Sequence, residues 1–236
     1  MVLTVSRRTT SPSWYESGVR WHAAGLTAVA VLGACASPPA PPIPSSSPAA
    51  PPVVNAANVI RVRSALPKGY EIAELTGPVS AASLWGFGAG WTADPAQCGT
   101  LADPAPHDGG ARGLSASGVG GTVFIVVSAT ADTTPGPDLL AQCGSWTMTF
   151  VHTSAEVIRT DAPAIEGADT VAWGAMTRTI VESGTETNAR ATTALAYLDH
   201  HVVYVTLVTD PGSPHPPLEP GFVSDMLATA VAALRG

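Results

Sequence analysis

The sequence predicts an α+β domain, a mainly antiparallel sheet with helices packed on one face. Three observations carry that expectation. In Ser145 to Val151, Trp146, Met148 and Phe150 alternate with Thr147 and Thr149, the period of a half-buried strand. Ala191 to Leu198 and His201 to Thr209 read as two strands joined at Asp199-His200, a hairpin. In residues 219–234, Val223, Leu227, Ala230, Val231 and Leu234 fall on one stripe of an amphipathic helix that closes the chain.

The other elements follow in order. Residues 57–65 read as a short helix ending before the turn sequence Leu66-Pro67-Lys68-Gly69, and Tyr70 to Leu75 alternates like a strand. Ser80 is suited to cap a helical turn through Leu84 and Trp85, because its hydroxyl can accept from an unpaired backbone N–H. Gly113 to Gly118 and Thr122 to Ala129 read as strands around Val119-Gly120-Gly121. The second, TVFIVVSA, is apolar on both faces and therefore central. Pro137 opens a short helix over Asp138 to Cys143, and Thr170 to Val181 alternates again, with Val171, Trp173 and Ala175 on one face. There is no internal repeat.

Composition divides the 236 residues before that domain begins. Arg7, Arg8 and Arg20 precede the uncharged stretch Ala23 to Leu32. Ten helical residues rise only about 15 Å, half the thickness of a bilayer's hydrocarbon, so the stretch reads as the apolar region of an export signal. Leu32-Gly33-Ala34-Cys35 resembles the bacterial lipobox, in which the cysteine thiol takes a diacylglyceryl group before cleavage. Residues 1–34 are thus expected to be a lipoprotein signal peptide. Residues 35–58 would be a lipidated Cys35 and an uncharged Pro/Ala/Ser-rich linker, and 59–236 a single extracytoplasmic domain. The linker includes Ser45, Ser46 and Ser47, candidate O-glycosylation acceptors. The expected place is the outer side of the plasma membrane, held by the lipid.

Charge narrows the classes of partner. The chain carries 18 acids and 11 bases, a net −7. Loss of residues 1–34 removes three arginines and Glu16, leaving 17 acids, 8 bases and −9. That excludes a binder of nucleic acid working through a basic face. Two cysteines remain in the domain, Cys98 and Cys143, and in an exported chain such a pair is most simply a disulfide.

Motifs for chemistry are sparse. Gly113-Leu114-Ser115-Ala116-Ser117 lacks the second glycine of a nucleophile elbow, and Gly86-Phe87-Gly88-Ala89-Gly90 lacks the lysine of a phosphate loop. His107, His152, His200, His201 and His215 show no metal-ligand spacing, and Glu71/Glu74 and Glu182/Glu186 read as solvated acids. No catalytic residue, metal or cofactor is expected. Trp146 and Trp173 are read as core. Trp85, Phe87 and Trp91 lie beside glycines and prolines and are candidates to line a groove for an apolar or glycan ligand, against the alternative of local packing.

The run Arg61-Val62-Arg63-Ser64-Ala65-Leu66-Pro67-Lys68-Gly69-Tyr70-Glu71 can be taken with Gly77-Pro78-Val79-Ser80, Leu84-Trp85-Gly86-Phe87, Trp91 and Cys98. Together they resemble a family of mycobacterial cell-envelope lipoproteins of unknown function. In layout the domain is also remotely similar to the extracellular sensor domain of PknH-type kinases, which implies a helix-flanked antiparallel sheet with a cleft. Neither resemblance supplies catalytic residues. The expected function is a non-enzymatic ligand-binding or sensing module, its partner a small envelope ligand or another exported protein. The alternatives are a cell-wall hydrolase or esterase without a recognisable motif, and an accessory subunit of an exported complex.

Overall fold

The computed structural model describes residues 53–105, 110–130 and 134–236. The expected signal peptide, Cys35 and the serines of the linker lie outside the described residues, as do His107 and Asp108. No described helix is long and apolar enough to cross a membrane.

The strands are β1 (Glu71–Gly77), β2 (Thr92–Asp94), β3 (Ala111–Gly118), β4 (Gly121–Ala129), β5 (Ser145–Phe150), β6 (Thr153–Thr160), β7 (Asp169–Ile180), β8 (Glu186–Leu198) and β9 (His201–Thr209). The helices are α1 (Ala81–Leu84), α2 (Gly99–Ala102), α3 (Pro137–Gln142) and α4 (Phe222–Arg235). Two 3-10 helices, Ala56–Ala65 and Ala96–Cys98, complete the set. All nine strands form one antiparallel sheet in the order β1-β3-β4-β9-β8-β7-β6-β5-β2.

Two-residue turns hold the meander in register. Gly118 pairs with Gly121, Phe150 with Thr153 and Leu198 with His201. Each turn contains one residue of positive φ: Gly120 at 95°, Val151 at 50° and His200 at 52°. That sign matches the twist of the flanking strands. Ser80 caps α1 as its sequence suggests, accepting from Ser83 N at 3.2 Å while Ser83 Oγ accepts from Ser80 N at 3.0 Å.

Strand alternation sorts the core into two layers. One face presents Leu114, Ala116, Val123, Ile125, Val203, Val205 and Leu207 to α4 and the first 3-10 helix. Within that helix Val59 and Val62 are buried and Ile60 is exposed, the three-residue spacing of a 3-10 turn. The opposite face presents Val126, Trp146, Met148, Trp173, Leu195 and Tyr204 to α1, α2 and the segment carrying Trp85 and Phe87. Helical cover therefore lies on both faces, which corrects the expectation of one. The reason is local: α1 and α2 are four residues each, too short to display a periodic stripe in the sequence.

Two strands were not expected. In β6 only Ala155 and Val157 are buried, a faint alternation, and β2 is three residues long and exists through pairing with Thr147 to Thr149. The first 3-10 helix begins at Ala56, just inside the stretch expected to be linker.

Candidate ligand cleft

Cys98 and Cys143 form a disulfide with Cα atoms 5.6 Å apart, and both are fully buried. The bond joins the short segments before α2 to the end of α3, so it fixes the irregular layer over the sheet. Beneath that layer Trp146 and Trp173 meet edge to face, ring centroids 5.4 Å apart. Their indole N–H groups have no hydrogen-bond partner among the described residues.

The aromatic groove candidates fall into this layer. Trp85 is 4% exposed and Phe87 3%, so both are core side chains with no open face for a ligand. Trp85 Nε1 donates to Thr193 Oγ1 at 3.0 Å, and Thr193 in turn bonds Thr206 at 2.9 Å. Trp91 is half-buried, its ring covering Gly99, where a Cβ would lie 3.2 Å from it. The packing alternative accounts for Trp85 and Phe87. Apolar side chains beside glycines reach the core here because the backbone approaches the sheet closely: a Cβ at Gly88 would lie 2.5 Å from the Phe150 ring.

Tyr204 is buried in the same layer and donates to Val79 O at 2.5 Å. Burial, reinforced by the carboxylate of Asp103, pushes its phenol well above the ordinary tyrosine range. It is locked in packing and has no access to a substrate.

The remaining candidates are dispersed. Ser115 stands inside β3, paired with Ala73 and Phe124. Glu74 sits 3.8 Å from Arg63, and Glu186 accepts from Arg178 Nη2 at 2.6 Å, which lowers the Glu186 carboxyl below its usual range. All four groups are exposed. His200 lies in the β8–β9 turn, its Nε2 3.4 Å from Asp199 Oδ1, and His201 opens β9. Among the described residues, no three His, Cys, Asp or Glu side chains gather as a metal site.

One histidine is in a different setting. His215 lines a cleft of about 950 Å³ that wraps one end of the sheet. Its floor is the β3–β4 turn from Ser117 to Thr122, the start of β8 from Thr187 to Arg190, and the end of β9 at Val208 and Thr209. Its wall is the segment Asp210 to Pro217, with prolines at 211, 214, 216 and 217. Each proline fixes φ, so this wall is stiff without regular structure. Asp210 Oδ1 accepts from Gly212 N at 2.7 Å, His215 N donates to Ser213 Oγ at 3.2 Å, and Thr209 Oγ1 donates to Arg190 O at 3.4 Å. The turn is held from behind by Tyr70, whose hydroxyl donates to Val119 O. Gly120 is required there: at φ 95° a Cβ would also stand 3.1 Å from Leu218 N.

Sequence reasoning missed this site. The proline cluster after β9 was visible, and it was the one usable signal. That it folds against β8 is a tertiary fact.

The cleft and the start of the domain occupy opposite ends of the sheet. Asn55 N donates to Leu234 O at 2.9 Å, and Arg235 Nη1 and Nη2 donate to Glu166 O and Gly167 O at 2.6 and 2.5 Å. These lie beside the start of β7, which pairs with the far end of β8 through Asp169 and Tyr197. The cleft is at the near end of β8 and the far end of β9.

A family described as "Domain of unknown function (DUF5642)" matches residues 55–235. A solved structure of an uncharacterized protein from Mycobacterium smegmatis, the Rv0999 ortholog, is similar to the chain. Its TM-score is 0.58 at 20% identity, over 78% of this chain and 99% of that one. At that identity the likeness is one of fold. No curated protein matches the chain.

Proposed function

We propose that this chain, which belongs to the DUF5642 family, is a non-enzymatic binding module held on the outer side of the plasma membrane by a lipid on Cys35. The cleft described above would be its ligand site. The observation that carries the reading is that the cleft and Asn55, near the first described residues, lie at opposite ends of the sheet. Asn55 sits beside the last turn of α4. A module tethered at one end can offer the other to ligands away from the bilayer.

Three features support the reading. The disulfide suits an oxidising compartment outside the cytoplasm. The lipobox-like Leu32-Gly33-Ala34-Cys35 is followed by a proline-rich tract, a composition suited to a spacer. The cleft lining sets a few polar side chains, Arg190, Asp210 and His215, among hydroxyls, glycines and prolines, a surface that can orient a bound molecule. The resemblance to envelope lipoproteins, and the remoter one to kinase sensor domains, point the same way.

Two experiments test it. Cys35→Ala should move the protein from the membrane pellet to the soluble fraction, and unchanged sedimentation would reject the anchor. An extract of the host envelope should raise the melting midpoint of the solubilised protein but not that of a Ser117→Trp variant, whose indole fills part of the cleft. Equal response, or none, would reject the cleft as the site.

A further inference from the structure

We infer that the ligand of this cleft is a neutral saccharide, an assignment that rests on the binding-module reading above. The argument is one of matching chemistry. The lining holds one guanidinium, Arg190, and one carboxylate, Asp210, so the formal charges balance and favour neither an anion nor a cation. Arg190 Nε donates to Met176 Sδ at 3.2 Å, a weak acceptor, and no carboxylate pairs with Arg190 among the described residues.

The rest of the lining is hydroxyl and hydrocarbon. Ser117, Thr122, Thr187, Thr209 and Ser213 line it with hydroxyls. Ser117 and Thr122 bond each other at 3.2 Å, Thr209 donates to Arg190 O and Ser213 accepts from His215 N. Each oxygen keeps further donor or acceptor capacity of the kind a sugar's hydroxyls match. Asp210 Oδ1 is taken by Gly212 N and Arg190 Nε by Met176, which leaves Asp210 Oδ2 to accept from one hydroxyl and the Arg190 Nη groups to donate to others. The proline rings of the wall and Val208 offer flat C–H surface for the apolar face of a sugar ring. The volume, about 950 Å³, is at the upper end of small-molecule sites.

Other ligand classes fit less well. A lipid chain would need predominantly apolar walls. A phosphate group is favoured by several converging cationic side chains, and Arg190 is the one permanently charged cation of the lining. An extended peptide binds by adding to an open strand edge, but β3, β4, β9 and β8 are each paired on both sides.

The test uses the full-length protein in a detergent without a sugar headgroup. Isothermal titration is run with neutral trisaccharides of hexoses and of pentoses, with inorganic phosphate, with palmitate and with an uncharged tripeptide. At least one trisaccharide should bind. Arg190→Ala and His215→Ala, both exposed positions, should each weaken it about tenfold or more with the melting midpoint unchanged. Saccharide binding that survives both variants would overturn the assignment. If phosphate, palmitate or peptide binds and no saccharide does, the ligand class is wrong while the binding-module reading stands. If no probe binds and envelope extract leaves the melting midpoint unmoved, both fall.

Discussion

Trp85 Nε1 and Thr193 Oγ1 are 3.0 Å apart across 108 residues of sequence, and the contact is fully buried. It joins the end of a four-residue helix to the middle of the long central strand β8. Thr193 also bonds Thr206 on β9 at 2.9 Å, so one buried hydroxyl serves two elements.

Thr193→Val keeps the shape and removes the oxygen. It leaves the Trp85 N–H without its acceptor and Thr206 without its partner. The loss expected is about 2 kcal/mol, the cost of buried groups left unsatisfied. Urea unfolding would measure it, and Thr193→Val combined with Thr206→Val should recover part of the loss. Wild-type stability in Thr193→Val would contradict the role given to this contact.

Tyr204 makes stability fall at high pH. Its folded-state pKa is raised, chiefly by burial and further by Asp103. A group of raised pKa contributes stability below its unfolded pKa, about 10 for tyrosine, and loses it as pH rises beyond that value. The midpoint of urea unfolding should therefore drop between about pH 10 and 12, and drop less in Tyr204→Phe. That variant should also be less stable at neutral pH, because Val79 O loses its donor.

The disulfide closes a span of 45 residues. On the chain-entropy account its loss costs about 4 kcal/mol. The double variant Cys98→Ser, Cys143→Ser should show that deficit by chemical unfolding, most of it through a less constrained unfolded state. Both sulfurs are fully buried, so mild reductant should leave the native protein oxidised. Rapid thiol labelling of the folded domain would count against this packing.

Gly113 has no room for a side chain. A Cβ there would lie 2.0 Å from Ile125 O on the neighbouring strand β4. Gly113→Ala should cost about 3 kcal/mol or more, seen as lost soluble yield or a much lower melting midpoint. Gly136 meets nothing within 4 Å and has a φ of −62°, so Gly136→Ala should stay within about 0.5 kcal/mol of wild type. Similar outcomes for the two would show that the β3–β4 spacing is not as tight as described.

What the sequence determined by itself is whatever rests on neighbours along the chain. The alternation of Trp146, Met148 and Phe150, the stripe of α4, the Ser80 cap and the Asp199-His200 turn all follow from periodicity or from a single local hydrogen bond. The pairing of Cys98 with Cys143 was legible because only two cysteines remain in the domain. Tertiary structure decided the rest. Trp85 and Phe87 stand in sequence that looks like an open loop, and they are core because the sheet supplies a buried acceptor and an apolar floor. Arg190, Asp210 and His215 are unremarkable singly. They share a cleft because β8 and β9 are antiparallel neighbours, which brings the start of one strand to the end of the other. Chain proximity is written in local pattern; a site at the meeting of strand ends is set by register, which no local pattern records.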